Sequence, residues 1–347
     1  MRSRDRVVLA VLGAALGCGA VSEVSLGDGP FDAFVDAASD AASGADVPLD
    51  ADNEASADVV VPRDSSVADV AAEGCAADWD PACTPFGPPQ LVAELSSGTA
   101  NGYDEDPTLT SDMREIYFLS TRDGGPGHGD VWRASRDSVD ASWNPPTLVD
   151  AVSSPSRETS PAISFDGLSL YFASDRDGGE GNYDIYLSSR PTVDAGWSSP
   201  TSVAPLNSSG DDIPRPPGNH SLTMPMSYRS SPLSNYQIYT ASWSSPTWSQ
   251  PTLLEWVDTA NLDVDPFLSD DNLSFAFSSD RLNDAGIQNL FLAVRADPSS
   301  GFATPVPLAS LNTDPYMEAH PWLSPDQHEI YFDSDRSGVF RIYRATR

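Results

Sequence analysis

Five acidic residues recur at the same point of a repeated pattern, and their type and spacing make them the strongest candidates for chemistry in this chain. Each stands three residues before a proline, and together they are Asp104, Glu158, Asp211, Asp263 and Glu318. If the five surround one axis, their carboxylates concentrate negative potential and favour a cation, a metal or a basic side chain. The alternative is that each carboxylate caps a turn by accepting backbone amides.

Four further residues are close enough in sequence to join such a ring: His320, Asp106, Asp212 and Asp265. We therefore predict a binding site made of the five acids and His320 at the mouth of a central channel. The sequence does not identify a metal ligand set. It predicts no cofactor, with calcium as the one ion that such a ring would suit.

The sequence contains few other residues or motifs that are typical of catalysis. All 19 basic residues counted as Lys or Arg are arginines, which excludes Walker-type phosphate binding and Schiff-base chemistry. The glycine-rich loop at 124–129 leads into a predicted strand, so it is interpreted as a turn. The sequence thus predicts no catalytic residue and a protein that is not an enzyme. A glycosidase-like hydrolase is the alternative, but its carboxylates need unlike environments, whereas these acids are near-equivalent copies.

The acids are spaced by a repeat of the whole chain. The marker prolines lie 54, 53, 52 and 55 residues apart, at Pro107, Pro161, Pro214, Pro266 and Pro321. A period in this range is typical of solenoids, propellers and repeat arrays.

Each repeat contains the signals of four strands. The run 168–174 alternates residue types and is rich in aromatic and apolar side chains, as half-buried strands are. Asp166-Gly167 supplies the turn of a hairpin. A third strand is predicted at Asp184, and a fourth opens with an aromatic residue and a proline, as at Trp197. Four short antiparallel strands per period predict a propeller blade.

A fourth-strand stretch also precedes the first repeat, at Phe86 to Leu95, while the last repeat ends after its third strand. An N-terminal strand that completes the last blade would close the ring and remove a large exposed sheet edge. The sequence therefore predicts an all-β fold, a five-bladed β-propeller of four-stranded antiparallel blades closed by an N-terminal strand. Six blades are the alternative.

The repeat resembles a known family. The matching motif is Pro161-x-x-Ser164, the Asp166-Gly turn, Tyr171-Phe-x-Ser, Arg176 and Asp184-Ile-Tyr. It is similar to the WD40-like β-propeller repeat of the TolB type, found in bacterial periplasmic and surface proteins, whose TolB-like members usually have six blades. The resemblance implies a binding surface and names no particular activity.

Two further sets of residues recur within the repeat. They are the arginines Arg122, Arg176, Arg281 and Arg336 and the turn acids Asp112, Asp166, Asp271 and Asp326. A single binding site needs no such repetition, so we predict that they form a hydrogen-bond or ion-pair network inside each blade.

The N-terminus has the features of an export signal. Residues 1–22 contain an arginine-rich start and an apolar run too short to span a bilayer. The segment ending in Cys18 resembles a bacterial lipoprotein processing site, which predicts lipidation of Cys18 and an outer-membrane lipoprotein in the cell envelope, facing the periplasm or the surface. Ordinary cleavage near Ala20, giving a secreted protein, is the alternative.

Residues 23–84 are rich in Ala, Asp and Ser, and this composition predicts a disordered acidic tether. Cys75 and Cys83 are eight residues apart in this exported chain, which predicts a local disulfide. The propeller domain is predicted to occupy residues 85–347.

The formal net charge of −32 argues against nucleic acid as a partner. We predict a monomeric, non-enzymatic binding or scaffold propeller that contacts the membrane through its lipid anchor only. Its expected ligand is an envelope protein, peptide or glycan, held at the channel mouth or by the blade loops.

Overall fold

The computed structural model describes residues 84–99, 102–282 and 286–347. These residues form five separate antiparallel sheets with almost no helix, which confirms the predicted five-bladed β-propeller. The predicted signal, the tether and the three cysteines lie outside the described residues. Among the described residues, no helix has the length and apolar character that crossing a bilayer requires.

The blades repeat one order of strands. The first strands are β2 (Asp104–Leu109), β6 (Glu158–Ile163), β10 (Asp211–Pro214), β15 (Asp263–Leu268) and β19 (Glu318–Leu323). They pack on one another around the axis, except that the first strand of blade 4 packs on the second strand of blade 3. The second strands are β3 (Glu115–Ser120), β7 (Ser169–Ser174), β11 (Thr223–Arg229), β16 (Ser274–Ser279) and β20 (Glu329–Ser334). The third strands are β4 (Asp130–Ser135), β8 (Asp184–Ser189), β12 (Gln237–Ser244), β17 (Asn289–Val294) and β21 (Arg341–Thr346).

The outer strands are only two residues long. They are β1 (Gln90–Leu91), β5 (Thr147–Leu148), β9 (Thr201–Ser202), β14 (Thr252–Leu253) and β18 (Val306–Pro307). Regular pairing begins after the predicted aromatic residue and proline, because a proline has no N–H for the ladder. The residue after the aromatic nevertheless donates to the third strand, as Asn144 does to Ser135 at 2.8 Å and Ser198 to Ser189 at 2.9 Å. Blade 3 adds a short strand β13 (Thr247–Trp248), and 3-10 turns at Ala93–Leu95 and Ala204–Leu206 follow two of the outer strands.

The N-terminal strand closes the ring. In β1, Gln90 pairs with Arg344 and Leu91 with Tyr343 of β21, so the first strand of the described chain completes the last blade. The amide of Val92 extends the ladder to the carbonyl of Ile342 at 2.9 Å. The predicted closure is therefore confirmed.

The apolar core lies between neighbouring blades, because each sheet buries both of its faces. Aromatic residues of adjacent blades meet edge to face: Tyr117 with Trp197 at 5.9 Å and Tyr171 with Trp248 at 6.1 Å between ring centroids. Such pairs add to the burial of apolar area that holds consecutive blades together.

Four of the five first strands carry a β-bulge at the residue before the marker proline. Their left-handed φ angles are 56° for Asp106, 48° for Ser160, 54° for Asp265 and 53° for His320. A bulge re-aims a side chain, and here it turns four polar residues toward the axis. Blade 3 has no bulge, since β10 pairs without a shift from Asp211 to Pro214.

Candidate functional site

The five acids predicted to form a ring are the first residues of the five first strands, and all are buried. Each forms an ion pair with the arginine 18 residues later in its own blade. The pairs are Asp104 with Arg122 at 2.7 Å, Glu158 with Arg176 at 2.8 Å, Asp211 with Arg229 at 2.5 Å, Asp263 with Arg281, and Glu318 with Arg336 at 2.7 Å.

These carboxylates also cap the turn that precedes them. The amide of Ser154 donates to Glu158 at 2.9 Å, and that of Thr259 donates to Asp263 at 2.9 Å. In blade 3 the neighbouring Asp212 takes this role, since it accepts the amide of Ser208 at 2.7 Å. The amide-capping alternative thus describes their contacts, and Asp212 caps a turn instead of joining a cluster on the axis.

The recurrent arginines tie three parts of a blade together. Arg176 donates from one Nη2 to Glu158 and, at 2.6 Å, to the carbonyl of Val152 in the segment before the first strand. Its guanidinium also lies over the rings of Phe172 and Tyr186, at 5.0 and 4.9 Å. The same carboxylate and carbonyl contacts recur at Arg122, Arg281 and Arg336.

The turn acids are not the partners of these arginines. Each accepts a hydroxyl two residues earlier, as Asp166 does from Ser164 at 2.6 Å and Asp326 from Ser324 at 2.6 Å. The predicted network inside each blade exists, but its acid partners are the strand-start residues. The separation of 18 residues, constant in all five blades, is the sequence signal that would have identified them.

The contacts that cross the axis come from residues placed there by the bulges. His320 lies with Nε2 2.9 Å from Oδ1 of Asp106 and 3.4 Å from Oδ1 of Asp265. Its Nδ1 is 2.9 Å from Oδ2 of Asp333, which belongs to the second strand of the same blade. The structure therefore brings His320, Asp106 and Asp265 together, as their positions in the repeat suggested.

Blades 2 and 3 complete this group. The hydroxyl of Ser160 donates to Asp106 at 3.2 Å, and Nη1 of Arg215 donates to Asp106 at 2.6 Å. Blade 3 has no bulge residue on the axis, and Arg215 supplies its contact to Asp106 instead. Arg215 was not among the predicted site residues. We call these six residues, at least one from each blade, the axial cluster: Asp106, Ser160, Arg215, Asp265, His320 and Asp333.

Burial and charge shift the titration of this cluster in opposite directions. Burial would lower the pKa of His320, but the carboxylates of Asp106, Asp265 and Asp333 raise it well above its usual value. Burial would raise the pKa of Asp106, yet the charges of His320 and Arg215 hold it far below its usual range. The charges of His320 and Arg215 thus offset the negative charge of the aspartates, while burial still raises the pKa of Asp333.

The neighbouring Glu105 is different. Burial, aided by the charge of Asp333, raises the pKa of Glu105 to about 8. Its Oε2, Oδ2 of Asp265 and Nε of Arg215 are buried atoms without a hydrogen-bond partner in the described part of the chain. Buried atoms of this kind are usual positions for ordered water. No group of three or more His, Cys, Asp or Glu in the described ranges is arranged to hold a metal ion, and the predicted calcium site stays a prediction.

A second opening lies at the opposite ends of the first strands. It is a cavity of 40 Å³, which we call the mouth pocket, and all five blades line it. Its apolar residues from the five blades include Leu109, Ile163, Pro216, Leu268 and Leu323. Phe165 lies at its edge and is 38% exposed. The channel is therefore apolar at this mouth and charged on the axis.

An unusual turn of blade 3 stands beside the mouth pocket. Asn219, His220 and Ser221 have consecutive left-handed φ angles of 52°, 53° and 62°. Non-glycine residues in this region carry strain and persist only where surrounding contacts hold them. Asp270 of blade 4 supplies such contacts, since it accepts the backbone amide of His220 and the ring Nδ1, both at 2.6 Å. The ring of His220 meets Phe165 edge-on at 6.3 Å.

Comparison with known proteins gives only distant likenesses. No protein-family model matches this sequence, and no curated protein matches it. One similar solved structure is a putative TolB from Agrobacterium tumefaciens, at 16% identity over 74% of this chain and 82% of that chain, with a TM-score of 0.43. Another is an endo-arabinase from Bacteroides thetaiotaomicron, at 16% identity over 76% and 98%, with a TM-score of 0.48.

A third is the catalytic domain of a GH62 α-L-arabinofuranosidase from Coprinopsis cinerea, at 11% identity over 76% of this chain and 95% of that chain, with a TM-score of 0.47. No conclusion about activity follows from likenesses at this level.

Proposed function

We propose that this protein is a non-enzymatic binding or scaffold propeller that holds a protein or peptide of the cell envelope at the mouth pocket. The observation that carries the proposal is an apolar opening on the axis to which every blade contributes, with an exposed aromatic ring at its edge. A concave apolar pocket with a few polar groups at its rim is the usual form of a binding site.

The burial and ion pairing of the carboxylates support a binding role over hydrolysis. A glycosidase needs two carboxyl groups that reach the glycosidic bond from a cleft, one as acid and one as base or nucleophile. Here the strand-start acids and Asp106 are buried and engaged by arginine or histidine. For the same reason we propose that the protein works without a bound cofactor. A glycan ligand and a cation-binding role are the alternatives.

The rim of the mouth pocket suggests the chemistry of the ligand. Ser111 and Asp270 line it beside the apolar residues, and the turn acids Asp112, Asp166 and Asp326 neighbour its lining residues in the chain. An apolar side chain flanked by basic residues would complement an apolar pocket with an acidic surround. The formal net charge of −32 favours association with a basic partner over self-association, and the monomer is proposed accordingly.

Substitution at the pocket edge tests the binding role. With the full chain immobilised on beads and incubated with a solubilised envelope extract, Phe165→Ser is expected to lose at least about 90% of the captured partner, because hot-spot aromatic residues carry most of a binding energy. Val139→Ser is the matched control, since Val139 is 37% exposed, beside 38% for Phe165, and does not line this pocket. Equal capture by both variants would rule out the mouth pocket, and release of reducing sugar from a glycan panel would establish hydrolysis instead.

The predicted location is tested independently, since it depends on residues outside the described ranges. We propose that the mature protein is anchored in the outer membrane through lipid on Cys18. Wild-type protein is then expected to partition into detergent, and Cys18→Ser to remain unprocessed or to appear in the soluble fraction. Wild-type protein found only in the soluble fraction would refute the anchor and favour secretion.

A further inference from the structure

The grooves between neighbouring blades share one arrangement. Four blades place an arginine after the third strand on the aromatic ring that precedes the outer strand, as Arg190 lies 4.5 Å from the ring of Trp197 and Arg295 lies 4.3 Å from that of Phe302. The Nε of each arginine donates to the carbonyl of a turn residue, Gly167 for Arg190 at 2.7 Å and Asn272 for Arg295 at 2.6 Å. Arg190 and Arg295 therefore occupy equivalent positions.

In the groove between blades 1 and 2, the chain supplies a carboxylate to this arginine. Nη2 of Arg190 lies 2.7 Å from Oε2 of Glu115, at the start of β3. Oε1 of the same carboxylate pairs with Arg133 on the adjacent strand. The ion pairs neutralise the charge of Arg190, although a cavity of 420 Å³ remains in this groove beside Arg133 and Trp197.

The groove between blades 3 and 4 has the arginine without the carboxylate. The strand pairing Ile116 with Ala134 corresponds to Met224 with Ala241, so Thr223 stands where blade 1 has Glu115. Likewise, Thr240 on the third strand of blade 3 stands where blade 1 has Arg133. No acidic side chain of the described residues forms an ion pair with Arg295, whose pKa is lowered by burial and only partly restored by the charge of the nearby Asp297.

The groove between blades 3 and 4 also has an aromatic side chain where the groove between blades 1 and 2 has an alanine. Trp256 occupies the position of Ala151, three residues after the second residue of the outer strand in both blades. It stacks on Phe302 with centroids 5.0 Å apart and planes at 15°, and meets Phe275 at 5.3 Å. Trp256 is nevertheless 40% exposed. One cavity of 370 Å³ is lined by these aromatic residues together with Thr223, Thr240 and Arg295.

We propose that this aromatic groove binds an apolar carboxylate, an aromatic or aliphatic body that ends in a carboxyl group. The carboxylate pairs with the guanidinium of Arg295 in the way that Glu115 pairs with Arg190. The apolar body lies against Trp256 and Phe275, where burial of its surface contributes to affinity. A small organic acid and the C-terminal residue of a peptide share this chemistry. The site is a different cavity from the mouth pocket, with Leu268 between the two.

Calorimetric titration with N-acetyl-L-phenylalanine and its uncharged amide tests the site directly. The acid is expected to bind at least about 10-fold more tightly than the amide, because a hydrogen-bonded ion pair is lost with the charge. Arg295→Gln should remove this preference. Thr223→Glu supplies the carboxylate found in blade 1 and should abolish binding of the acid while preserving the fold, which keeps the test valid if Arg295→Gln unfolds.

The same titrations include two control variants and distinguish a small organic acid from a peptide C-terminus as the ligand. Arg114→Gln, an exposed arginine elsewhere, and Phe165→Ser at the mouth pocket should both leave binding unchanged. An octapeptide ending in phenylalanine that binds far more tightly than N-acetyl-L-phenylalanine would identify a chain terminus as the ligand, and equal affinities would identify the end group alone. Equal binding of acid and amide, unaltered binding by Thr223→Glu, or no binding of either acid or peptide would overturn the proposal.

Discussion

Deletion of residues 86–95 is expected to abolish stable folding or to lower the melting temperature by tens of degrees. The segment contains β1, and its buried side chains Phe86, Val92 and Leu95 are 2%, 9% and 0% exposed. Each such side chain contributes about 1.5–3 kcal/mol on burial, so their sum approaches the ~5–15 kcal/mol that stabilises a typical domain. The deletion also exposes the edge of β21 to aggregation.

Thermal melts of two deletions and two point variants check this expectation. Removal of residues 23–72 should leave the melting temperature unchanged, because the predicted tether supplies no ladder to the last blade. Leu95→Ala should cost about 2–5 kcal/mol as a core truncation, whereas Leu91→Ala, in the same segment but 43% exposed, should cost under about 0.5 kcal/mol. Equal melting temperatures for the two deletions would contradict closure by β1.

The architecture was predictable because it is repeated. A single blade-sized pattern with its marker prolines specifies the first three strands of every blade, and the copy at Phe86 reveals how the ring closes. Repetition also exposed the residues that brace each blade. Their pairing was not predicted, because the turn acids recur in the repeat as regularly as the strand-start acids do, but the constant separation of 18 residues from acid to arginine distinguishes the true partners.

The axial cluster was only half predictable. Asp106, Asp265 and His320 each precede a marker proline, so their shared position was visible. Arg215 was not, since its partner Asp106 lies 109 residues away in another blade. No local pattern predicts which residue fills the place left by a missing bulge. The aromatic groove could not be predicted for the same reason. It depends on Thr223 standing where blade 1 has the carboxylate of Glu115.

Replacement of His320 by Gln is expected to be the most damaging single change on the axis. It removes one of two cations from a buried group and leaves Asp106, Asp265 and Asp333 facing Arg215 alone. Breaking a buried ion pair typically costs about 3–5 kcal/mol, which corresponds to roughly 10 °C or more for a domain of this size. The control His328→Gln, whose side chain is 57% exposed, should change stability by less than about 0.5 kcal/mol.

The pH dependence of this loss separates a charge effect from a packing effect. Because the pKa of His320 is raised in the folded state, its stabilisation is complete below the unfolded value of 6.5 and is lost as the pH rises through the folded value. The groups that face it are Asp106, Asp265, Asp333 and, through the cluster, Arg215 and Glu105. The pKa of Glu105, raised to about 8, acts in the same direction, since the folded state keeps a proton that the unfolded carboxyl has lost and must release it as the pH rises.

Chemical denaturation from pH 6 to 9 should therefore show wild-type stability falling with rising pH. The difference between wild type and His320→Gln should be largest near pH 6 and narrow toward pH 9, because only the wild type has the imidazolium to lose. Carboxyls that His320 does not contact and whose pKa is raised, such as Glu318 at about 7, are present in both proteins and cancel in the difference. A constant difference across this range would mean that His320 holds the blades together by its shape and hydrogen bonds, with no contribution from its charge.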